Sequence, residues 1–257
     1  MKKINIGIFG PEGRMGKDII SRIDDYDSLK ISSLCERKNH PSIGKKVCDC
    51  IITDNIKEFV ENSDVIIDFS IPEATLKLLR ALQNKKVCLI TGTTGYSTKD
   101  ERIFLELSKK ITILRSFNMS IGINLLKSIL KSCSKKIGKN SDIEIVEIHH
   151  NKKKDSPSGT ALSLADSINE GLEQKGKLYY REKSPDRKRK KNEIGLSSIR
   201  GGEIIGTHTI FFFMDGEKLE FTHTALDRKI FSCGALDSVE WILSKKPGLY
   251  SLVDMLS

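Results

Sequence analysis

Ile4-Asn5-Ile6-Gly7-Ile8-Phe9-Gly10-Pro11-Glu12-Gly13-Arg14-Met15-Gly16 is the stretch whose reading decides the fold. Ile4 to Phe9 is apolar and β-prone, a glycine turn follows, and Lys17 to Ile23 then carries Ile19, Ile20 and Ile23 at helical spacing. Lys30 to Cys35 reads as a second strand and ends in Glu36-Arg37. Strand, glycine turn, helix, strand and acid, with the acid about twenty residues past the last glycine, is the context in which a glycine fingerprint predicts dinucleotide binding.

The three glycines follow the spacing GxxGxxG, a variant of GxGxxG. Gly10 permits the tight turn, Gly13 lets backbone amides approach a pyrophosphate, and Gly16 lets the helix pack on the sheet. The whole turn from Gly10 through Pro11, Glu12, Gly13, Arg14 and Met15 is therefore assigned to the cofactor. Glu36 can accept hydrogen bonds from ribose hydroxyls, while Arg37 and Lys38 can meet a 2′-phosphate. Both signs side by side predict tolerance of NADH or NADPH.

Working outward, the alternation continues. Val65 to Phe69 is a short apolar strand, Pro72 suits the first turn of a Glu73 to Gln83 helix, and Lys86 to Thr91 is another strand. It leads into Gly92-Thr93-Thr94-Gly95, where backbone amides and hydroxyls can hold the nicotinamide ribose or carboxamide. Ser97 to Lys109 is helix-like. Ile111 to Leu114 is a strand running into Arg115, and Ser116, Phe117, Asn118 and Met119 after it are assigned to the same cofactor site. Repeated strand-helix pairs predict an α/β fold, a Rossmann-type doubly wound parallel sheet.

After Asn118 the texture changes. Ile121 to Ile137 is a long amphipathic helix, Ile143 to Ile148 alternates as a strand running into His149, and Ser158 to Leu172 is helical. Gly195 to Arg200, Ile204 to Met214 and Lys218 to Thr224 are strands, the last two joined by an Asp215-Gly216 hairpin turn. This predicts a separate α+β domain with an open mixed sheet. Arg228 to Leu243 returns to helical spacing. The expected division is 1–119, completed by 229–257, for the dinucleotide and 120–228 for substrate and oligomerisation.

The totals restrict function. A chain of 257 residues can bury a substantial core, and no apolar run is long enough to span a bilayer. Met1-Lys2-Lys3 before Ile4 faintly mimics a signal peptide, but the apolar run is short and has no cleavage site, so a cytosolic protein is expected. Six scattered cysteines are read as reduced and structural. The net charge of +9 suits an anionic ligand. The run Arg187-Lys188-Arg189-Lys190-Lys191 lacks interleaved aromatics and reads as an exposed basic loop. Neither nucleic acid nor membrane is an expected partner.

The densest chemistry lies in His149-His150-Asn151-Lys152-Lys153-Lys154-Asp155-Ser156-Pro157-Ser158-Gly159-Thr160-Ala161. Two imidazoles and three ammonium groups precede a turn that opens a helix, and a helix N-terminus can hold an anion. An imidazole works as an acid or base near neutral pH. A paired imidazole can also mean metal, but no acid or thiol at ligand spacing completes such a site, so no metal is expected. Position alone does not choose among the three lysines.

Gly10-x-x-Gly13-Arg14-Met15-Gly16, Gly92-Thr93-Thr94-Gly95, Glu147-x-His149-His150-x-x-Lys153-x-Asp155-x-Pro157-Ser158-Gly159-Thr160-Ala161 and Arg200-Gly201-Gly202 occur here in order. Together they resemble the dihydrodipicolinate reductase (4-hydroxy-tetrahydrodipicolinate reductase) family, over essentially the whole chain. The resemblance implies an NAD(P)H-dependent reduction of a small cyclic dicarboxylate on the diaminopimelate route to lysine, by a homotetramer joined through the second domain's sheet. It implies His149 as general acid/base, Lys153 as proton donor, and His150, Gly159 and Thr160 as substrate contacts.

Two departures stand out. Pro11 occupies a position where the family usually has alanine, removing one backbone donor from the turn. The segment from Gly176 to Glu193 is compact and unusually basic. Two other functions are weighed beside the reductase: a two-domain NAD(P)-dependent dehydrogenase of an amino acid or semialdehyde, and a nucleotide-sensing protein that binds nucleic acid.

Overall fold

The computed structural model describes residues 3–181 and 188–257. Two compact units divide the chain, Met1–Ser120 with Lys229–Leu256, and Ile121–Arg228 with Ser257.

The first unit begins β1 (Ile4–Phe9), α1 (Arg14–Arg22), β2 (Leu29–Cys35), β3 (Lys46–Val47), β4 (Cys50–Thr53), α2 (Ile56–Glu61) and β5 (Val65–Asp68). It continues with α3 (Pro72–Leu82), β6 (Cys88–Thr91), α4 (Thr98–Leu107) and β7 (Thr112–Arg115). The helix starts obey local chemistry. Pro72 occupies the first turn of α3. Ser97 and Asp100 form a reciprocal capping box at α4, the Asp100 carboxylate accepting from the Ser97 amide at 2.8 Å.

The second unit holds α5 (Ile121–Ile137), β8 (Asp142–His149), α6 (Gly159–Gly171), β9 (Lys177–Tyr180), β10 (Glu193–Arg200), β11 (Gly206–Met214) and β12 (Glu217–Ala225). The chain then returns to the first unit with α7 (Lys229–Asp237), α8 (Val239–Leu243), β13 (Gly248–Tyr250) and α9 (Leu252–Met255).

The first sheet has the order β13-β7-β6-β5-β1-β2-β4-β3, parallel except for the β3–β4 hairpin. Strand order reverses between β1 and β5, where Phe9 stands opposite Asp68. Open parallel sheets bind ligands beyond the carboxyl ends of the strands at such a switch point, and the Gly10 turn begins there. Leu78, Leu79, Phe104, Leu89 and Ile113 are among the side chains that fill the core.

The second sheet runs β12-β11-β8-β10-β9, with β8, β9 and β10 parallel and β11 antiparallel to both its neighbours. Leu126 and Leu130 of α5 and Leu164 and Ile168 of α6 pack with Ile143, Ile145, Leu196, Ile210 and Phe212. Along β8 the buried positions are Ile143, Ile145, Glu147 and His149. The period-two alternation that buries two isoleucines therefore carries a carboxylate and an imidazole into the same covered face.

Several elements differ from expectation. The hairpin of β3 and β4, the short α2, β9, β13 and α9 all fall in stretches to which the sequence reading assigns no element. Arg228 to Leu243 is not one helix but two, α7 and α8, broken at Ser238. Of the basic run, Arg187 lies outside the described residues, and Arg189 is no solvated cation. Its guanidinium pairs with Glu144 at 2.6 Å and donates to the Ile143 carbonyl at 3.2 Å. Among the described residues no helix is long and apolar enough to cross a membrane, and all six cysteines are free.

Leu130 is fully buried in α5. Leu130→Ala is expected to cost about 2–5 kcal/mol, the usual range for truncating a packed leucine, read as a lowered transition for this unit in calorimetry.

Candidate active site

In the first unit the glycine turn leads straight into the N-terminus of α1. Gly10 has φ +81°, a left-handed conformation that favours glycine. A Cβ on Gly16 would lie 2.8 Å from the Pro11 Cα and press on the Gly10 carbonyl, so the helix start and the strand end touch backbone to backbone. Gly13 caps α1 with no side-chain hydrogen bond, and no acid lies in the first turn. This helix N-terminus has no side-chain cap from its N-cap residue, which fits a pyrophosphate. Glu12 is turned to Lys17 at 2.9 Å, which holds its carboxyl below the usual range. Pro11 is buried, and the turn closes around it through Gly13 N–H to Gly10 O at 3.1 Å.

Glu36 follows the last residue of β2, its carboxylate accepting from the Arg37 amide at 2.8 Å; the Arg37 side chain is exposed. An acid at the end of β2, next to β1, has the placement that a ribose diol requires.

The loop after β6 behaves differently from its sequence reading. Thr93 is buried, its hydroxyl donating to Asp68 at 3.2 Å and its amide to the Thr91 hydroxyl at 3.2 Å. Both groups expected to face a ligand are thus spent inside the protein, while Gly92 is half-buried and Thr94 exposed. The Asp68 carboxylate also accepts from the Ser70 amide at 3.0 Å, the Ser70 and Thr75 hydroxyls at 2.5 Å and the Thr91 hydroxyl at 2.9 Å. Burial pushes its carboxyl up, against the pull of these donors. Nearby, Ser116 donates to the Asn118 carbonyl at 2.7 Å, Phe117 is exposed under the Arg115 guanidinium, and Met119 is buried.

In the second unit the cluster centres on Glu147, which has no solvent exposure. Arg200 grips it with two bonds, Nη1 to Oε2 at 2.9 Å and Nη2 to Oε1 at 2.7 Å. The Ser158 amide donates to Oε1 at 3.1 Å, and His149 Nδ1 bonds to Oε2. Burial alone would raise the Glu147 carboxyl; the Arg200 guanidinium, the Ser198 hydroxyl and His149 outweigh it and hold the group at about 2. An ionised carboxylate is acceptor-only, so His149 carries its proton on Nδ1 and presents Nε2 as the free nitrogen. Burial lowers the His149 imidazole, Glu147 opposes this, and Lys153 and Arg200 add to it.

The lysine loop is tied to this core. Arg200 Nη2 also donates to the Asp155 carbonyl at 2.7 Å, and Lys153 pairs with the Asp155 carboxylate at 2.8 Å. Lys153 is half-buried, whereas Lys152 and Lys154 are exposed. His150 is half-buried with its amide bonded to the Ile204 carbonyl at 2.7 Å. Ser158 caps α6, its Oγ accepting from the Ala161 amide at 3.1 Å, so Gly159 and Thr160 form the first turn. His149, His150, Lys153, Gly159 and Thr160 all belong to this one unit. Among the described residues no group of three or more His, Cys, Asp or Glu is arranged to hold a metal ion.

Three residues were not singled out as functional from sequence. Glu147 and Arg200 stood inside recognised strings without a role. His208 carried no signal beyond the alternation of β11. It is 4 % exposed, with Nε2 3.2 Å from Ser158 Oγ and its ring edge-on to His149 at 5.2 Å. Gly206 adds a steric condition: a Cβ there would come within 2.9 Å of His149 Nε2.

Two family models match the chain, "Dihydrodipicolinate reductase, N-terminus" over residues 4–119 and "Dihydrodipicolinate reductase, C-terminus" over residues 122–256. The 4-hydroxy-tetrahydrodipicolinate reductase of Geotalea daltonii is 39% identical over 266 residues, covering 98% of this chain and 98% of that protein. That of Pelagibacter ubique is 38% identical and covers 100% of this chain and 99% of its own. Among solved structures, a dipicolinate-bound dihydrodipicolinate reductase from Paenisporosarcina sp. TG-14 matches with a TM-score of 0.83 at 21% identity, covering 98% of this chain and 99% of that one. A probable dehydrogenase from Thermotoga maritima matches at 0.66 with 14% identity, covering 98% and 92%, a likeness of fold alone.

The buried charges set an acid dependence. Glu147 lies near 2 against an ordinary 4.5, so the stability its charge brings is complete above pH 4.5 and is lost as pH falls toward 2. His208 lies near 4 against 6.5, lowered by burial and then by His149, so folding weakens as pH falls from 6.5 to 4. Thermal melts should therefore fall on acidification from pH 7. Glu147→Gln should lose about 3 kcal/mol at pH 7, because Arg200 is left without its counter-charge, yet lose less than the parent between pH 5 and 3.

Proposed function

The chain belongs to the dihydrodipicolinate reductase family, and from that premise we propose how its residues divide the work of the family's reaction. The activity is the NAD(P)H-dependent reduction of 4-hydroxy-tetrahydrodipicolinate, by way of dihydrodipicolinate, to tetrahydrodipicolinate on the diaminopimelate route to lysine. The observation that carries the residue roles is the Glu147 cluster, which holds an imidazole, an ammonium-bearing loop and a helix N-terminus together.

The substrate is a small cyclic dicarboxylate, so it needs two anion sites. The first turn of α6, through Gly159 and Thr160, takes one carboxylate, because the leading amides of a helix have no acceptor within it. His150 and Lys153 hold the second carboxylate or the ring nitrogen. Negative charge that develops on the ring during reduction is met by a proton from the Lys153 ammonium, which Asp155 holds in place. His149, with Nδ1–H fixed on Glu147, gives or takes a proton at Nε2, and the Glu147 carboxylate stabilises the imidazolium that forms when it takes one.

When bound, the dihydronicotinamide of NADH or NADPH supplies the hydride. Gly10, Pro11, Glu12, Gly13, Arg14 and Met15 line its pyrophosphate, and Glu36 and Arg37 its adenosine ribose. Gly92, Thr93, Thr94 and the stretch Ser116 to Met119 flank the nicotinamide end, with Thr93 acting through its fixed backbone. Water must be excluded while the ring is reduced.

The functional assembly in this reading is a cytosolic homotetramer. The second sheet supports it, since Phe213 and Leu219 are exposed on β11 and β12, an antiparallel pair with β12 at the sheet edge. Exposed apolar edges need covering.

Supplying the preceding synthase's product and following NADH or NADPH absorbance tests the activity, and absence of substrate-dependent oxidation by folded, cofactor-binding protein would overturn it. Lys153→Ala should lower kcat by about 10²–10⁴, the usual loss of a positioned proton donor; Lys152→Ala should leave it near the parent value. Arg37→Ala should weaken NADPH binding more than NADH binding in parallel titrations.

A further inference from the structure

We propose that His208 is a positioning residue which fixes the direction of the Ser158 hydroxyl, turning it into a hydrogen-bond donor aimed at a substrate carboxylate. This rests on the reading of the α6 N-terminus as an anion site, and deepens it.

The inference follows from counting protons. A serine hydroxyl has one proton to give and two lone pairs to receive. One lone pair of Ser158 Oγ is already taken by the Ala161 amide at 3.1 Å. The other group in reach is His208 Nε2 at 3.2 Å. Either the imidazole donates to the hydroxyl, or the hydroxyl donates to the imidazole.

The far side of the ring decides between them. His208 Nδ1 is buried and has no hydrogen-bond partner. A proton on Nδ1 would be an orphaned buried N–H, among the rarest and costliest arrangements in folded proteins. A bare lone pair there is tolerated better. The ring is neutral near pH 7, since burial, reinforced by His149 and His223, holds it at about 4. It therefore has a single proton, placed on Nε2 and donated to Ser158.

With both lone pairs filled, the Ser158 O–H points away from Ala161 and from His208. That leaves the proton for an acceptor arriving at the α6 N-terminus. The opposite tautomer would turn the hydroxyl proton inward and present the remaining oxygen lone pair to an incoming carboxylate, which it repels. His208 thus sets the sign of the site without touching the ligand. The same ring stands edge-on to His149, so one buried residue supports both the anion turn and the acid/base imidazole.

The test compares His208→Gln with His208→Leu. Both lose the aromatic contact with His149, but a glutamine amide can still donate to Ser158 where leucine cannot. Dipicolinate binding by calorimetry and steady-state kinetics are the readouts, with NADH affinity and thermal melting as measures of fold. His208→Leu should weaken dipicolinate and raise substrate KM by about tenfold, a typical loss for a hydrogen bond to a charged group, with a smaller change in kcat. His208→Gln should recover dipicolinate affinity to within about threefold of the parent. Equal behaviour of the two variants overturns the inference. Should the leucine variant fail to fold, nitrogen-15 NMR of the unaltered protein reads the tautomer directly, and a proton on Nδ1 of His208 overturns it equally. An unaltered protein that binds NADH but neither binds dipicolinate nor turns over would instead overturn the functional reading beneath it.

Discussion

The second unit is organised by one buried charge. Taking a carboxylate out of water costs several kcal/mol unless its lone pairs are met by charged or oriented donors. Glu147 meets two from Arg200 on β10, one from His149 on its own strand, one from the Ser158 amide ahead of α6 and the Ser198 hydroxyl. Each bond also constrains the group that makes it. His149 is confined to one tautomer, α6 is fixed at its first residue, and Arg200 reaches past the carboxylate to the Asp155 carbonyl and so anchors the lysine loop. The His149 tautomer, the start of α6 and the lysine loop thus depend on the same charge remaining ionised.

The first unit repeats the device with a different outcome. Asp68, at the carboxyl end of β5, draws in Ser70, Thr75, Thr91 and Thr93 from two successive strand-to-helix connections. Among the described residues no cation joins this group, and burial outweighs the donors, so the carboxyl is shifted up rather than down. Here the hydroxyls that look ready for a ligand are consumed in shaping the loop. The cofactor region is left with backbone and glycine surface, which suits a pyrophosphate and a planar ring better than fixed side-chain charge.

Much of this was legible in the chain. The doubly wound sheet follows from local periodicity around Gly10, Gly13 and Gly16, and the 17-residue α5 matches its apolar spacing end to end. Strands of two to four residues such as β3, β9 and β13 have too few alternations to stand out. Arg189 sat in a run of like charges that reads as solvated, and its partner Glu144 lies 45 residues earlier. The string from His149 to Thr160 names the imidazoles and the lysine loop. It does not reveal that Glu147 is dry, because that depends on Arg200, 53 residues away. His208 was the least visible of all. Counting inward positions back from Phe212 and Ile210 would have placed it in the core, where a lone imidazole demands a partner.

The divided first unit has a consequence for the order of synthesis. β7 pairs on one side with β6, and on the other with β13, through Thr112, Ile113 and Leu114 opposite Gly248, Leu249 and Tyr250. A ribosome delivers the whole of the intervening unit before that last strand exists. Until then the growing sheet ends in an open edge carrying two residues, Ile113 and Leu114, that the finished protein buries completely. Such an edge is a template for pairing with another nascent chain. A fold that closes this layer with a strand from beyond the intervening unit therefore carries that edge unpaired while the second unit is being made.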